Sequence, residues 1–332
     1  MNENTYIAKK TIYGFDLLKI ILAVFIISGH TALFEEYSNL AYIREVLSSI
    51  AVPTFMAISA YLFFRKVYNV SKDDDSKPIL IKTLKRLGLL FFSWYILMLP
   101  MAYIKFFSVA TLKETIFALL FSCTFKGYWF IKALIINTCF FYLFRKSKAL
   151  VVLTFFAWIV YLFFSYNYVF HFIDFPYHPY YSFYYNMGYY SIGVLFAKYG
   201  KSFYYTRANE LLLIASFILV FLLGFIEELN PLYRIFSIPL LFMLFYQLDL
   251  APKPYYKTMR DMSIILYMVQ FVLIWLYNGS CELWFKQNSV FFVILQHSIT
   301  RFLIVTIITI SIAWLILKYE KHPKFSFLHY LH

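Results

Sequence analysis

Apolar residues fall in ten long blocks along the 332-residue chain, separated by short stretches where charge and proline collect. A bilayer core of ~30 Å takes about twenty helical residues. The blocks at 17–34, 46–64, 87–107, 128–144, 149–165, 184–200, 210–226, 232–248, 261–277 and 291–317 approach that length. The pattern predicts an all-α polytopic integral membrane protein of about ten transmembrane helices, a single membrane-embedded domain over 1–332. Segment 111–123 is apolar but short, and reads as a re-entrant or interfacial helix. Residues 71–78, SKDDDSKP, have the composition of a linker, and the tyrosine-rich stretch 176–190 reads as an outer loop. Those tyrosines suit an interfacial aromatic belt or, alternatively, a sugar-stacking wall.

Composition agrees with the blocks. The chain is 62% hydrophobic and 14% charged, with 40 Phe and 31 Tyr, more rings than a soluble core can hide. The net charge of +13 raises the question of nucleic acid, but its distribution answers otherwise. With both termini cytoplasmic, and Lys105, Lys198 and Arg234 near block ends counted with the adjoining loops, twenty-one of the thirty Lys and Arg are inside and six outside. The other three, Lys19, Lys132 and Arg301, lie within blocks. This asymmetry is the positive-inside rule, so membrane lipids are expected as partners and nucleic acid is not. No small-residue cleavage pattern follows the first block, which is expected to be retained as a span. Cys123, Cys139 and Cys281 have no metal-ligand spacing; a Cys123 to Cys281 disulfide is an option, and no metal is expected.

The chemistry starts in the first block, where LLKIILAVFIISGH sets Lys19 and His30 eleven residues apart. At ~100° per residue they share a helix face, separated by a rise of ~16 Å. Ala23 and Ile26 fill the stripe between them, and Asp16 stands one turn before Lys19. Ionisable groups in a span cost ~2.5–3.5 kcal/mol each even on a lenient scale, so both are expected to face protein or water. Snorkelling to the cytoplasm explains Lys19 almost as well, and a packed interhelical histidine is the alternative to a general base at His30. Glu35 and Glu36 read as capping a solvated loop or as orienting the base, and Arg301, one turn from His297, as half of an ion pair.

Asp16, Lys19 and His30 resemble the first-helix signature of the membrane-bound acyltransferase family 3, a basic residue, ten residues, then His, often with Asp three before. AVPTFMAISAYLFFRK, 51–66, resembles that family's second-helix motif, with Ser59, Ala60 and Tyr61 in its Ser-Gly-aromatic places and Ala standing for Gly. LIKTLKRLGLLFFSWY, 80–95, resembles its basic third-helix entrance, without the usual proline. GYWFIKAL, 127–134, resembles the fourth-helix start, and DMSIILYMVQ, 261–270, a ninth-helix motif in which Gln270 replaces His.

The resemblance implies O-acyl transfer from a cytoplasmic acyl-CoA, usually acetyl-CoA, to a hydroxyl of a cell-surface glycan or lipid-linked glycan, in a bacterial-type plasma (inner) membrane. On that reading His30 is the base, with Asp16 and Lys19 in the catalytic helix. Lys82, Lys85 and Arg86 meet the CoA phosphates, if they are more than positive-inside charge. Tyr61, Trp129 and Tyr267 line the substrate cavity, if they are more than packing. A transporter or flippase for a glycan or acyl intermediate is the rival reading, and a non-catalytic sensor or assembly factor a third.

Overall fold

The computed structural model describes residues 11–70, 75–102, 111, 114, 128–147, 149–173, 182–199, 207–248, 250–284 and 289–332. Among these the secondary structure is helical: α1 (Tyr13–His30), α2 (Ser38–Ser49), α3 (Ala51–Tyr68), α4 (Ser76–Ala102), α5 (Tyr128–Leu143), α6 (Ala149–Phe170), α7 (Phe183–Tyr199), α8 (Arg207–Leu223), α9 (Asn230–Gln247), α10 (Pro254–Trp284), α11 (Val290–Gln296) and α12 (Ser298–Tyr319), with a 3₁₀ segment at Pro323–Leu331. Among the described residues six stretches are long and apolar enough to cross a membrane: Tyr13–His30, Ser38–Tyr68, Ala149–Phe170, Glu227–Gln247, Pro254–Leu283 and Ser298–Tyr319. The protein is an all-α, multi-pass membrane protein.

The faces of the helices show the same thing from inside. On α6 the buried stripe is Leu150, Thr154, Ala157, Tyr161 and Ser165, rich in hydroxyls and small groups, while Val152, Phe155, Phe156, Ile159 and Phe163 are exposed. That inverts a soluble amphipathic helix, because lipid accepts bulky apolar groups and leaves polar ones to find partners among the helices. On α12 the same division sets buried Thr309 and Ala313 against exposed Ile307, Ile310 and Trp314.

Residues up to Phe15 together with 53–249 form one compact unit, and residues 16–52 with 250–332 form another. In the first, α7 packs on α6, α5 and α9. Its interior is laced by buried hydroxyls. Ser165 donates to the Tyr185 hydroxyl at 3.1 Å, Tyr161 donates to the Pro231 carbonyl at 3.1 Å, and Thr138 meets the Tyr190 hydroxyl at 2.8 Å. The tyrosines from 184 onward are therefore helical, not outer-loop, and Tyr185, Tyr189 and Tyr190 are buried, not interfacial. The rest of that stretch, 176–181, lies outside the described residues, as do Cys123 and most of 111–123. In the second unit, α10 packs on α12, with α11 against both.

Several boundaries move for identifiable reasons. The first helix stops at His30, four residues early, because Ala32 and Phe34 adopt left-handed φ of 51° and 65° in the turns that follow. The last block breaks at His297, whose extended ψ of 131° separates α11 from α12. The linker's Ser76, Lys77 and Pro78 form the opening turn of α4, where proline's missing N–H costs nothing. Cys281 is a buried thiol, and Cys123, the other half of the disulfide option, lies outside the described residues.

Close packing in the first unit depends on glycine, and Gly193 shows how. A methyl group on Gly193 of α7 would overlap the Ala57 carbonyl and press on the Ala60 Cβ at 2.8 Å, both on α3. Small residues let membrane helices approach in this way, and Ala60 serves that contact. Gly193→Ala should cost ~1–3 kcal/mol of stability by overpacking. The expected result is a lower thermal midpoint in detergent micelles; an unchanged midpoint would show that the helices separate freely.

Candidate functional site

The ends of α1 differ in character. Near its start, Asp16 and Lys19 are both buried, Lys19 to 9% exposure. Asp16 interacts electrostatically with Lys19, and with Arg260 and Asp261 on α10, which pair with each other at 3.2 Å. Lys19 is thus largely buried beside a cluster of charges, as an intramembrane ammonium requires. Arg260 and Asp261 were not anticipated as its partners, although adjacent opposite charges at the head of an apolar helix are a visible signal.

At the other end His30 is the last residue of α1 and is exposed. Its ring lies 4.6 Å from that of Phe271 on α10, and Phe271 lies 6.0 Å edge-on from Tyr267. The helix therefore does not bring Lys19 and His30 together; it holds them about three turns apart. Ala23 and Ile26, which fill the stripe between them, are buried against protein. Gln270, one residue before Phe271, is fully buried and donates to the Tyr267 carbonyl at 3.1 Å.

The turn after His30 is fixed by α12. Arg301 Nε donates to the Thr31 carbonyl at 2.7 Å, and its Nη2 pairs with Glu35 at 3.0 Å. Glu36 accepts from the Ser298 backbone N–H at 2.7 Å and from the Ser298 hydroxyl, capping α12 where its first N–H groups are otherwise orphaned. The two glutamates are therefore long-range ties and not merely a solvated loop. Burial works to raise the Glu36 pKa, but the Ser298 hydrogen bonds and nearby His297 outweigh it and hold the carboxyl at about 2.

The remaining predicted residues lie in the first unit. Lys82, Lys85 and Arg86 are exposed on α4, and their i, i+3, i+4 spacing puts them on one face of that helix. Tyr61 is buried among Phe15, Phe242 and Tyr246, with ring centroids at 5.8, 4.9 and 5.9 Å, and the Arg65 guanidinium lies 5.8 Å from its centroid. Trp129 is buried on α5, edge-on to Phe130. Of the three proposed cavity residues, Tyr267 connects to His30 through Phe271, while Tyr61 and Trp129 fill their own unit's interior.

A family model described as an acyltransferase domain, that of acyltransferase family 3, matches residues 12–318. The chain belongs to the acyltransferase-3 family. It is a membrane acyltransferase, an enzyme of the transferase class, and the matched span contains α1 through almost all of α12. No curated protein and no solved structure matches this acyltransferase.

The Glu36 tie gives the acyltransferase a defined acid sensitivity. A lowered folded-state pKa means the carboxylate's contribution is complete above its ordinary value of 4.5 and is lost as pH falls toward 2. Glu36→Gln should lower the thermal midpoint in micelles at pH 6, with the gap to the unaltered chain closing between pH 4.5 and 2. A gap independent of pH across that window would count against the tie.

Proposed function

We propose that this acyltransferase moves an acetyl group from cytoplasmic acetyl-CoA to a hydroxyl of a cell-surface glycan or lipid-linked glycan precursor, in a bacterial plasma membrane, with His30 as general base. The observation that carries this reading is the accessible imidazole at the end of α1, steadied by Phe271 and by the Arg301 tie to the next residue. Neutral imidazole has a pKa suited to taking a proton near pH 7. His30 removes the proton of the acceptor hydroxyl as its oxygen attacks the thioester carbonyl. The C–S bond breaks, and the CoA thiolate leaves and takes up a proton.

Lys82, Lys85 and Arg86 are the donor's phosphate contacts on this reading, because an exposed face of three cations offers charge-assisted hydrogen bonds to an anionic group. Asp16 and Lys19 act indirectly, by anchoring α1 to α10 through Arg260 and Asp261. Both termini are cytoplasmic in this reading, which the loop charges support. Family membership favours the enzyme over the transporter.

The test is acyl transfer from radiolabelled acetyl-CoA to candidate glycans by purified protein in nanodiscs. His30→Ala should reduce kcat by roughly 10²- to 10⁴-fold, the range for losing a general base. The triple change of Lys82, Lys85 and Arg86 to Ala should instead raise KM for acetyl-CoA by at least about tenfold. Normal turnover by the His30 variant would overturn the base assignment, and an unchanged KM in the triple variant would return those cations to a topological role.

A further inference from the structure

Beyond the last span the chain folds back on itself. Glu320 caps α12, its N–H donating to the Ile316 carbonyl, and the 3₁₀ segment Pro323–Leu331 follows, with His322 Nδ1 accepting from the Lys324 N–H at its start. In 3₁₀ geometry residues three apart eclipse one another, which puts His329 and His332 on the same side. Both turn toward Glu320. His332 Nε2 is 2.5 Å from Glu320 Oε2, and His329 Nδ1 is 3.6 Å from the same oxygen. The two imidazoles are nearly perpendicular, at 88°, with centroids 5.2 Å apart.

We propose that Glu320, His329 and His332 form a binding site for a divalent transition metal, zinc by preference, that fastens the C-terminal segment to the end of α12. One ligand atom from each residue lies within 4.8 Å of the other two. Tetrahedral zinc with bonds of 2.0–2.2 Å sets its ligands about 3.3 Å apart, so the groups need only small side-chain rotations. Two imidazoles and a carboxylate are a zinc donor set, leaving the fourth position to water. Burial is graded in a way that suits a ligand entering from outside. The His332 side chain is 7% exposed, that of Glu320 18% and that of His329 73%. Two ligands are thus held in place and the third is free to close over the ion. Leu331, buried between the two histidines in sequence, already holds the segment down, so the site does not have to be assembled from a loose tail.

This role is separate from acyl transfer and departs from the sequence expectation that no metal is needed. The motif His-x-x-His at 329–332 is visible in the sequence, but the carboxylate that completes it stands nine residues earlier, across the turn at His322.

The experiment uses the full chain in micelles, stripped with EDTA and with any purification tag removed, in equilibrium dialysis against buffered Zn²⁺. One zinc per chain is expected. The double variant His329→Ala/His332→Ala should bind it more than 100-fold more weakly, beyond the roughly 10- to 100-fold typical of losing a group outside the ligand set. Glu320→Gln should weaken binding in the same direction. Limited trypsin digestion supplies a second readout, because Lys321 and Lys324 lie in the segment the metal closes. Zinc should slow cleavage there in the unaltered chain and have no effect on the double variant. Equal zinc binding by the unaltered chain and the double variant, or no binding by either, would overturn the proposal, and so would cleavage that zinc does not slow.

Discussion

Hydrocarbon cannot hydrogen-bond, so every polar group that enters the membrane must find its partner inside the protein. Arg301 shows the consequence most directly. A guanidinium near the start of an apolar helix is costly unless its donors are met, and here they are met by the Thr31 carbonyl and the Glu35 carboxylate. The same requirement explains the hydroxyl-lined interior of the first unit, where Tyr161, Ser165, Tyr185 and Thr138 spend their hydrogen bonds on other helices. It also explains why the bulky residues of α6 and α12 point outward.

From that constraint the character of the site follows. α1 is held at both ends by charge, through Asp16 and Lys19 at the start and through the turn after His30 at the finish. Between them Ala23 and Ile26 are buried against protein. At the helix terminus the His30 imidazole is exposed, with Phe271 against its ring. The abrupt end of α1 at left-handed Ala32 and Phe34 leaves His30 at the helix terminus with its ring exposed, the feature on which the proposed base role rests.

Much of this was legible in the residues. The described parts of the ten apolar blocks lie mainly on helices, with the first overrunning its helix and the last broken at His297, and the spacing of Asp16, Lys19 and His30 survives as one helix with those groups on it. The need of Arg301 for an ion pair was legible too, since a lone intramembrane charge demands one. Other features were not. Nothing local says that Glu36 caps a helix that begins 262 residues later, because that contact depends on how α12 lies beside the first turn. The tyrosines after 182 looked like a loop because polar-tipped rings suit an interface and a helix interior equally, and only partners such as Ser165 and Thr138 separate the two.

By itself the sequence determined the class of the molecule and the register of its first helix, because hydropathy, loop charge and a period of 3.6 residues are properties of neighbours along the chain. Tertiary structure decided which charges are buried, which imidazole is open, that Ala23 and Ile26 are buried and that Glu320 meets His329 and His332. Those outcomes depend on which side chains from distant segments arrive at the same place, and in a membrane that arrival is governed by partner-finding among polar groups.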